Sequence, residues 1–420
     1  MPNPKNEERS APSLVRIGRL AALLVVLLLS ILTAGRAGFA SFLTGYALTT
    51  NQIDPANSAI NLSPNNPDAH LTRAALLEAN NGLPSAIPEY EKAASLRPQD
   101  YVLWLTLARA SELNGDVSRA IASGKQAVKL APYYAEPHWH LGNILVRAGD
   151  RDEGFRELGM AAKSDLALMP GIIDLAWRLS NGNPKAVEQA IQPHTSADYQ
   201  ALAQYFREHE EVNEAIAMYK SAGSEAESTV RVYVGDLISA KRFAEAYTLW
   251  SASHDAGRPG TLTDPGFEKE SDLTEPGFGW RSADRLQACR FSLDSANPKE
   301  GRFSLRAEFS GDSDPGSPVV SQMVLVQPFA RYELRFAVRS ENIVSGGLPI
   351  VVVIDADSRN GLGKSEQFPR TTDGWREYAI DFNTGPSTTA IQIALQREGC
   401  SSPCPIFGRI WLDGFVLRKL

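Results

Sequence analysis

The 420-residue chain reads as a multidomain α plus β protein: an N-terminal membrane helix, an α-helical solenoid and a C-terminal antiparallel β-sandwich. Three observations predict this. An uncharged apolar run stands near the start, a proline-closed phrase returns every 34 residues, and beyond Gly257 helical periodicity gives way to short alternating runs. The length suits two or three folded units rather than one core. At 43% hydrophobic and 22% charged the composition is globular, and a formal net charge of -7 excludes nucleic acid as the main partner, because phosphate binding needs clustered Lys and Arg.

Residues 1–35 form the first element, a cytoplasmic tail followed by a membrane segment. Lys5, Arg9, Arg16 and Arg19 precede LAALLVVLLLSILTAG, Leu20 to Gly35, and Arg36 closes the run. In a helix this run spans roughly 24 Å at about 1.5 Å per residue, short of a ~30 Å hydrocarbon core. An uncleaved anchor and a cleaved signal are both open, with Thr33-Ala34-Gly35 and Gly38-Phe39-Ala40 as the candidate cleavage sites. Either way the basic cluster before the run keeps the N-terminus cytoplasmic and places the rest outside. The expected location is the inner membrane, single-pass, or secretion if the segment is cleaved.

The second element, residues 36–255, carries the 34-residue period. Pro64, Pro98 and Pro132 close the phrases AINLSPNNPDAH, AASLRPQDYVLW and AVKLAPYYAEPHW. Small residues keep step at Ala59, Ala93, Ala127 and Ala161 and at Ala86 and Ala120, with Tyr90 and Leu158 as large fillers. A small residue on each helix allows close approach, and the proline stops the second helix. This segment resembles tetratricopeptide repeats: Trp104, Leu107, Leu141 and Gly142 match their first helix, and Ala86, Tyr90, Ala93 and Pro98 their second helix and closing position. Three units run in register from Pro67 to about Asp165. Met169 to Pro193 matches poorly, and Asn181 to Pro184 reads as a helix-breaking turn. Degenerate units return with Leu202, Ala203, Phe206, Ala215 and Tyr219, then with Leu237, Ala246 and Trp250. A leading partial unit, about Arg36 to Leu62, is expected to join the membrane segment to the solenoid without a flexible linker. The resemblance implies that the repeats bind a protein partner.

The third element, residues 258–420, holds the runs RFSLRAEF, YELRFAVRS, PIVVVIDA, WREYAIDF, AIQIALQR and RIWLDGFVL between turn residues. Tyr332, Leu334, Phe336 and Val338 share one face of their strand, opposite Glu333, Arg335 and Arg339; Ile350 to Ile354 should be buried throughout. The order DPGFE (Asp264–Glu268), GFGWR (Gly277–Arg281), GRFSL (Gly301–Leu305), Gly374-Trp375 and a last strand with WLDGF is similar to the galactose-binding-like jelly roll of carbohydrate-binding modules. That resemblance implies a glycan ligand and a structural calcium ion held by Glu268 and Asp413, calcium being a hard cation that prefers oxygen donors. The plain alternative makes Glu268 a turn residue and Asp413 part of a β-bulge.

Few residues point to other chemistry. Cys400 and Cys404 lack a second pair for zinc and the CxxC spacing of a redox motif, so a local disulfide is expected, leaving Cys289 free; pairing of Cys289 with one of them is the rival. His138 and His140, two apart on a helix, point to different sides and read as structural. His209 in HEEVN lacks the second histidine of a zinc protease motif. Asp355 and Asp357 form a carboxylate pair with no identifiable partner across a cleft. Trp280, Trp375 and Tyr332 are candidates for stacking on a sugar, or for the sandwich core. The reading that results is a non-enzymatic envelope scaffold, with exopolysaccharide or O-antigen assembly as the expected setting; the alternative is an enzyme or enzyme subunit acting on surface polysaccharide.

Overall fold

The computed structural model describes residues 14–269, 272–282, 289–312, 314–400 and 403–420; residues 1–13 of the expected cytoplasmic tail lie outside them. Two compact units are present, Met1–Gln192 and Pro193–Leu420, so the division falls within the helical region and not at the start of the β domain.

In the first unit, α1 (Leu14–Thr50) is one unbroken helix. Its apolar part is exposed from Leu20 through Leu32, and the candidate membrane span covers Arg19–Thr50. Further along, Ala40, Thr44 and Ala47 are buried: Ala40 packs with Ala59 of α2 (Ile53–Leu62) and Ala69 of α3 (Pro67–Ala79), and Ala47 with Ala56 and Leu76. Alanine at each contact lets the helices approach closely. The apolar segment and the first helix of the solenoid are thus the same helix, with no loop between them.

Helical pairs follow: α3 with α4 (Leu83–Leu96), α5 (Tyr101–Leu113) with α6 (Val117–Leu130), α7 (Ala135–Ala148) with α8 (Arg151–Ser164), and the shorter α9 (Met169–Leu179) with α10 (Pro184–Ile191). Asn66, Asp100, Asp116 and Asp150 cap α3, α5, α6 and α8 by accepting from N–H groups of the first turn. Between the pairs, Ala74, Ala86, Tyr90, Leu107 and Ala110 form one buried cluster, and Ala108, Ala120 and Ile144 the next. The α7–α8 crossing is the tightest of the contacts described. A Cβ on Gly142 would lie 2.8 Å from Leu158 Cγ, and one on Gly154 would lie 2.6 Å from Val146 Cγ2. The Asn181-Gly182 turn, with both residues at positive φ, ends α9, and Asn183 caps α10.

A second regularity accompanies the prolines. A ring nitrogen of His70, Trp104 and His138 hydrogen-bonds the carbonyl of Pro64, Pro98 and Pro132 at 2.9, 3.0 and 3.0 Å. Each ring therefore ties the start of one repeat to the close of the previous one. His70 and His138 also hold Glu89 and Glu157 of the paired helix, each at 2.6 Å.

The second unit begins with α11 (Ser196–Glu208), α12 (Val212–Ala222), α13 (Glu227–Ser239) and α14 (Phe243–Trp250). The strands are β1 (Trp280–Ser282), β2 (Cys289–Asp294), β3 (Ser304–Asp312), β4 (Val320–Leu325), β5 (Arg331–Ser345), β6 (Pro349–Asp355), β7 (Gly361–Lys364), β8 (Arg376–Asn383), β9 (Ala390–Arg397) and β10 (Pro405–Lys419). They form two antiparallel sheets, β1-β4-β9-β6-β7 and β2-β3-β10-β5-β8, closing on a core that includes Leu334, Phe336, Val351, Phe368, Ile391, Ile410 and Phe415. Along β5 Arg331, Glu333, Arg335, Arg339 and Glu341 face outward, while Tyr332, Leu334, Phe336 and Val338 face inward, which sets its register. On β6 the outcome differs from the expectation: Ile350, Val351 and Val353 are buried, but Val352 and Ile354 are half-exposed, because only one face of that sheet is covered.

The GFGWR motif seats the end of α14 on the sandwich. Gly277 lies at positive φ with no room for a side chain, since a Cβ there would be 2.4 Å from Trp250 Nε1. The Phe278 ring then meets Tyr247 edge-on at 5.0 Å and Trp250 at 5.8 Å. Arg231 of α13 pairs with Asp272 at 3.2 Å, and Lys241 with Asp357 at 2.5 Å.

Close packing gives a paired prediction for α8. Gly154→Ala should destabilise the full chain by about 1–3 kcal/mol through overpacking. Gly159→Ala on the same helix, with nothing within 4 Å of the new Cβ, should be neutral or stabilise by up to about 1 kcal/mol. Urea melts of the two variants check this; equal shifts would overturn it.

Candidate functional site

The outer face of sheet β2-β3-β10-β5-β8 carries the best-built surface for a ligand. Cross-strand register places Arg306 of β3 and Arg339 of β5 on either side of Trp411 of β10. Trp375, just before β8, continues the row at the sheet's edge. The result alternates cation and aromatic: Arg306, Trp411, Arg339, Trp375. Trp411 is buried, and its indole N–H donates to Asp294 at 2.6 Å. The Arg339 guanidinium lies 3.9 Å above the Trp411 ring centre and 5.9 Å from that of Trp375, within the range of a cation–π contact. A second row beside it is ionic: Arg306 meets Glu308 at 2.5 Å, Arg409 meets Glu308 at 3.5 Å and Glu341 at 3.8 Å. The N–H of Ala296 and the Trp411 indole hold the Asp294 carboxyl below its usual range.

The loop between β2 and β3 crosses one end of this face. Its Asn297 carbonyl accepts from the Trp375 indole at 3.0 Å, and Lys299 Nζ meets Glu377 at 2.8 Å. Beside it runs an open trough of about 370 Å³, lined by Lys299, Glu300, Arg335, Ala337, Glu377 and Ala379. Alanines on its floor leave the sheet backbone approachable, and charged side chains form its walls.

Sequence reasoning nominated three rings for stacking, and the structure separates them. Trp280 is buried, packed 4.9 Å from both Phe267 and Phe415, with its N–H donated to the Asp264 carbonyl at 3.0 Å. Tyr332 is buried against Phe382 at 5.6 Å. Both belong to the core, because their strands turn them inward, and neither can meet a sugar. Trp375 alone of the three is half-exposed on the outer face. Trp411 and Arg339 went unnoticed as a pair, although alternation along β5 marks Arg339 as outward.

Glu268 and Asp413 come together around Gly266, where a Cβ would lie 3.6 Å from Asp413 Oδ1 and 3.7 Å from Glu268 Cγ. Backbone N–H groups surround both carboxylates. Glu268 accepts from Arg302 at 2.9 and 3.0 Å and from Phe303 at 3.3 Å. Asp413 accepts from Lys299 at 2.8 Å, Glu300 at 3.2 Å and Gly414 at 2.7 Å. Burial raises the Asp413 carboxyl above its usual range, and the N–H groups of Glu300, Lys299 and Gly414 offset part of that. A calcium shell needs oxygen donors, and a dication here would face the positive ends of these peptide dipoles. In the structure these N–H groups take up the carboxylate oxygens that a calcium ion would need, and among the described residues no three His, Cys, Asp or Glu side chains converge. The pair instead locks the β2–β3 loop and the last strand to the start of the domain.

Cys400 and Cys404 form a disulfide, and Cys289 is free and buried, its thiol pushed up to about 12 by burial. Beside the disulfide lies a buried arginine: Arg397 donates to the Cys404 carbonyl at 2.7 Å and to Ser345 Oγ at 3.3 Å. Asp355 and Asp357 do not act as a pair. Burial pushes the Asp355 carboxyl up, but hydrogen bonds from the Thr388 hydroxyl and from Ser358 and Asp357 N–H outweigh it and hold it low. Asp357 is tied to Lys241.

No protein-family model matches the chain, and no curated protein does. Among solved structures, MamA (41-end) from Desulfovibrio magneticus RS-1 is similar at a TM-score of 0.32 and 13% identity, over 37% of this chain and 92% of that one. The pilF protein of Pseudomonas aeruginosa is similar at 0.26 and 15%, over 52% and 88%. The CBM22-1 xylan-binding domain of Paenibacillus barcinonensis Xyn10C is similar at 0.26 and 16%, over 39% and 97%.

Two measurements follow from the loop chemistry. Without reductant, alkylation of the full chain should leave Cys400 and Cys404 unmodified by mass spectrometry, with Cys289 reacting only on unfolding; modification of all three in the native state would remove the staple. The full chain should melt at the same temperature in calcium and in chelator, whereas a rise of several degrees with calcium would show that the loop turns its carbonyls toward an ion.

Proposed function

We propose that this chain is a non-enzymatic envelope scaffold, anchored in the membrane by α1, whose helical repeats hold a protein partner and whose sandwich binds a surface glycan during polysaccharide assembly. The observation that carries it is the half-exposed Trp375 beside Arg339 and the open trough, on a sheet face that the β2–β3 loop crosses at one end. Sugar rings stack on aromatic faces and hydrogen-bond to charged side chains, and this face supplies both.

Supporting the anchor, α1 continues past Arg36 with Phe39, Phe42 and Tyr46 stacked along its exposed side at 6.1 and 6.3 Å. Aromatic side chains are favoured where a helix leaves the hydrocarbon for water. Cleavage after Ala40 would also cut into the residues that pack the first repeat. Supporting a protein partner, the turns between repeats display aromatic surface: Tyr133 is 87% exposed, and Tyr134 stacks on Tyr101 at 5.6 Å. Tyrosine at such edges suits protein contacts.

A glycan array probed with the full chain in lipid nanodiscs tests the sandwich's role. Binding to one polysaccharide class is expected, with Trp375→Ala weakening it by about tenfold, the loss of one stacked ring of roughly 1–2 kcal/mol. Binding to no glycan would leave a scaffold for proteins alone.

A further inference from the structure

We infer that the outer face of sheet β2-β3-β10-β5-β8 selects an acidic polysaccharide, with the Arg339 guanidinium taking the carboxylate of a uronate unit. This rests on the glycan-binding reading above and names its chemical class. Most guanidinium groups on this face are spoken for: Arg306 and Arg409 by Glu308, and Arg335 by Glu333 at 2.8 Å. Arg339 differs. Among the described residues it makes no hydrogen bond and no ion pair, and its Nε, like that of Arg306, is shielded from water without a partner. Its guanidinium lies against the two indole faces, with the Asp294 carboxylate within electrostatic reach but not paired to it.

That arrangement is costly without a ligand and suited to one with a carboxylate. A guanidinium set over an indole has its plane fixed by stacking, so its N–H fork is held in place before the acid arrives, and less side-chain freedom is lost on binding. Arg–carboxylate pairs are bidentate and charge-assisted, stronger than the neutral hydrogen bonds a plain hexose can offer. Trp375 stands beside the fork, where the same sugar's ring can stack. Arg290, Arg306 and Arg409 on the neighbouring strands add positive field along the face, against Glu308 and Glu341. A chain of repeating uronates matches this better than a neutral polymer or a single anion. Lysine in place of Arg339 would keep the charge but not the fork.

Calorimetry of the full chain in neutral-lipid nanodiscs, with polygalacturonate and neutral xylan as probes at low and at moderate salt, tests this. The wild-type chain should bind polygalacturonate at least about tenfold more tightly than xylan, and the preference should shrink as salt rises. Arg339→Gln should remove the preference, and Arg339→Lys should restore only part of it; near-ultraviolet circular dichroism of the tryptophans confirms folding of each. The wild-type comparison needs no variant, so a misfolded mutant does not leave the matter open. Equal binding of both polymers, or an undiminished preference in folded Arg339→Gln, overturns the acidic class while glycan binding stands. Binding of neither polymer, with no hit on a wider array, overturns both.

Discussion

Everything in the helical region depends on how closely two helices can approach when the residue between them is alanine or glycine. Where Ala40 meets Ala59 and Ala69, or Gly142 meets Gly154, the backbones come close enough for dispersion contacts to run the length of the pair. Larger residues, Tyr90, Leu107 and Leu158, then fill the space that the small ones open to either side. A single helical pair buries only one stripe of itself, so each pair requires another beside it, and this is what turns a 34-residue phrase into an array.

An array must also end, and the second unit shows one way of doing so. The last helix, α14, is apolar on a face that another repeat would have covered, and the sandwich covers it instead, through Phe278 and the space left by Gly277. In the first unit, α1 supplies the outer partner for α2 and α3 while remaining continuous with the apolar span. A helix shared between the apolar span and the first repeat transmits orientation as a linker could not, because bending it would break backbone hydrogen bonds in turn.

In the sandwich, polar groups are handled by two different solutions. Buried acids are met by backbone: Asp413 by the β2–β3 loop, Asp355 by its own turn and Thr388. Buried or half-buried arginines are met unequally. Arg397 donates to the Cys404 carbonyl and Ser345 Oγ, whereas Arg339 rests on indole rings with no hydrogen-bond acceptor among the described residues. A half-buried guanidinium held on indole rings without an acceptor has a preference for what completes it.

Much of this was legible in the residues. The spacing of Pro64, Pro98 and Pro132 and the alanines in step with them determine the repeats, since only helices of fixed length packed through small residues produce that period. Alternation along β5 determines which of its side chains face out. What the sequence could not settle was the fate of each individual ring and acid. Trp280 and Trp375 both follow a glycine in a strand-like setting, yet one is core and one is surface, because their strands present opposite faces. Glu268 and Asp413 stand 145 positions apart, and only the fold shows that N–H groups from a third segment meet them. The same holds for His70, Trp104 and His138, whose ring nitrogens reach the repeat prolines only once the helices are packed. Local pattern determined the elements, and tertiary structure decided the partners, because a hydrogen bond or a stacked ring depends on distances that no single segment sets.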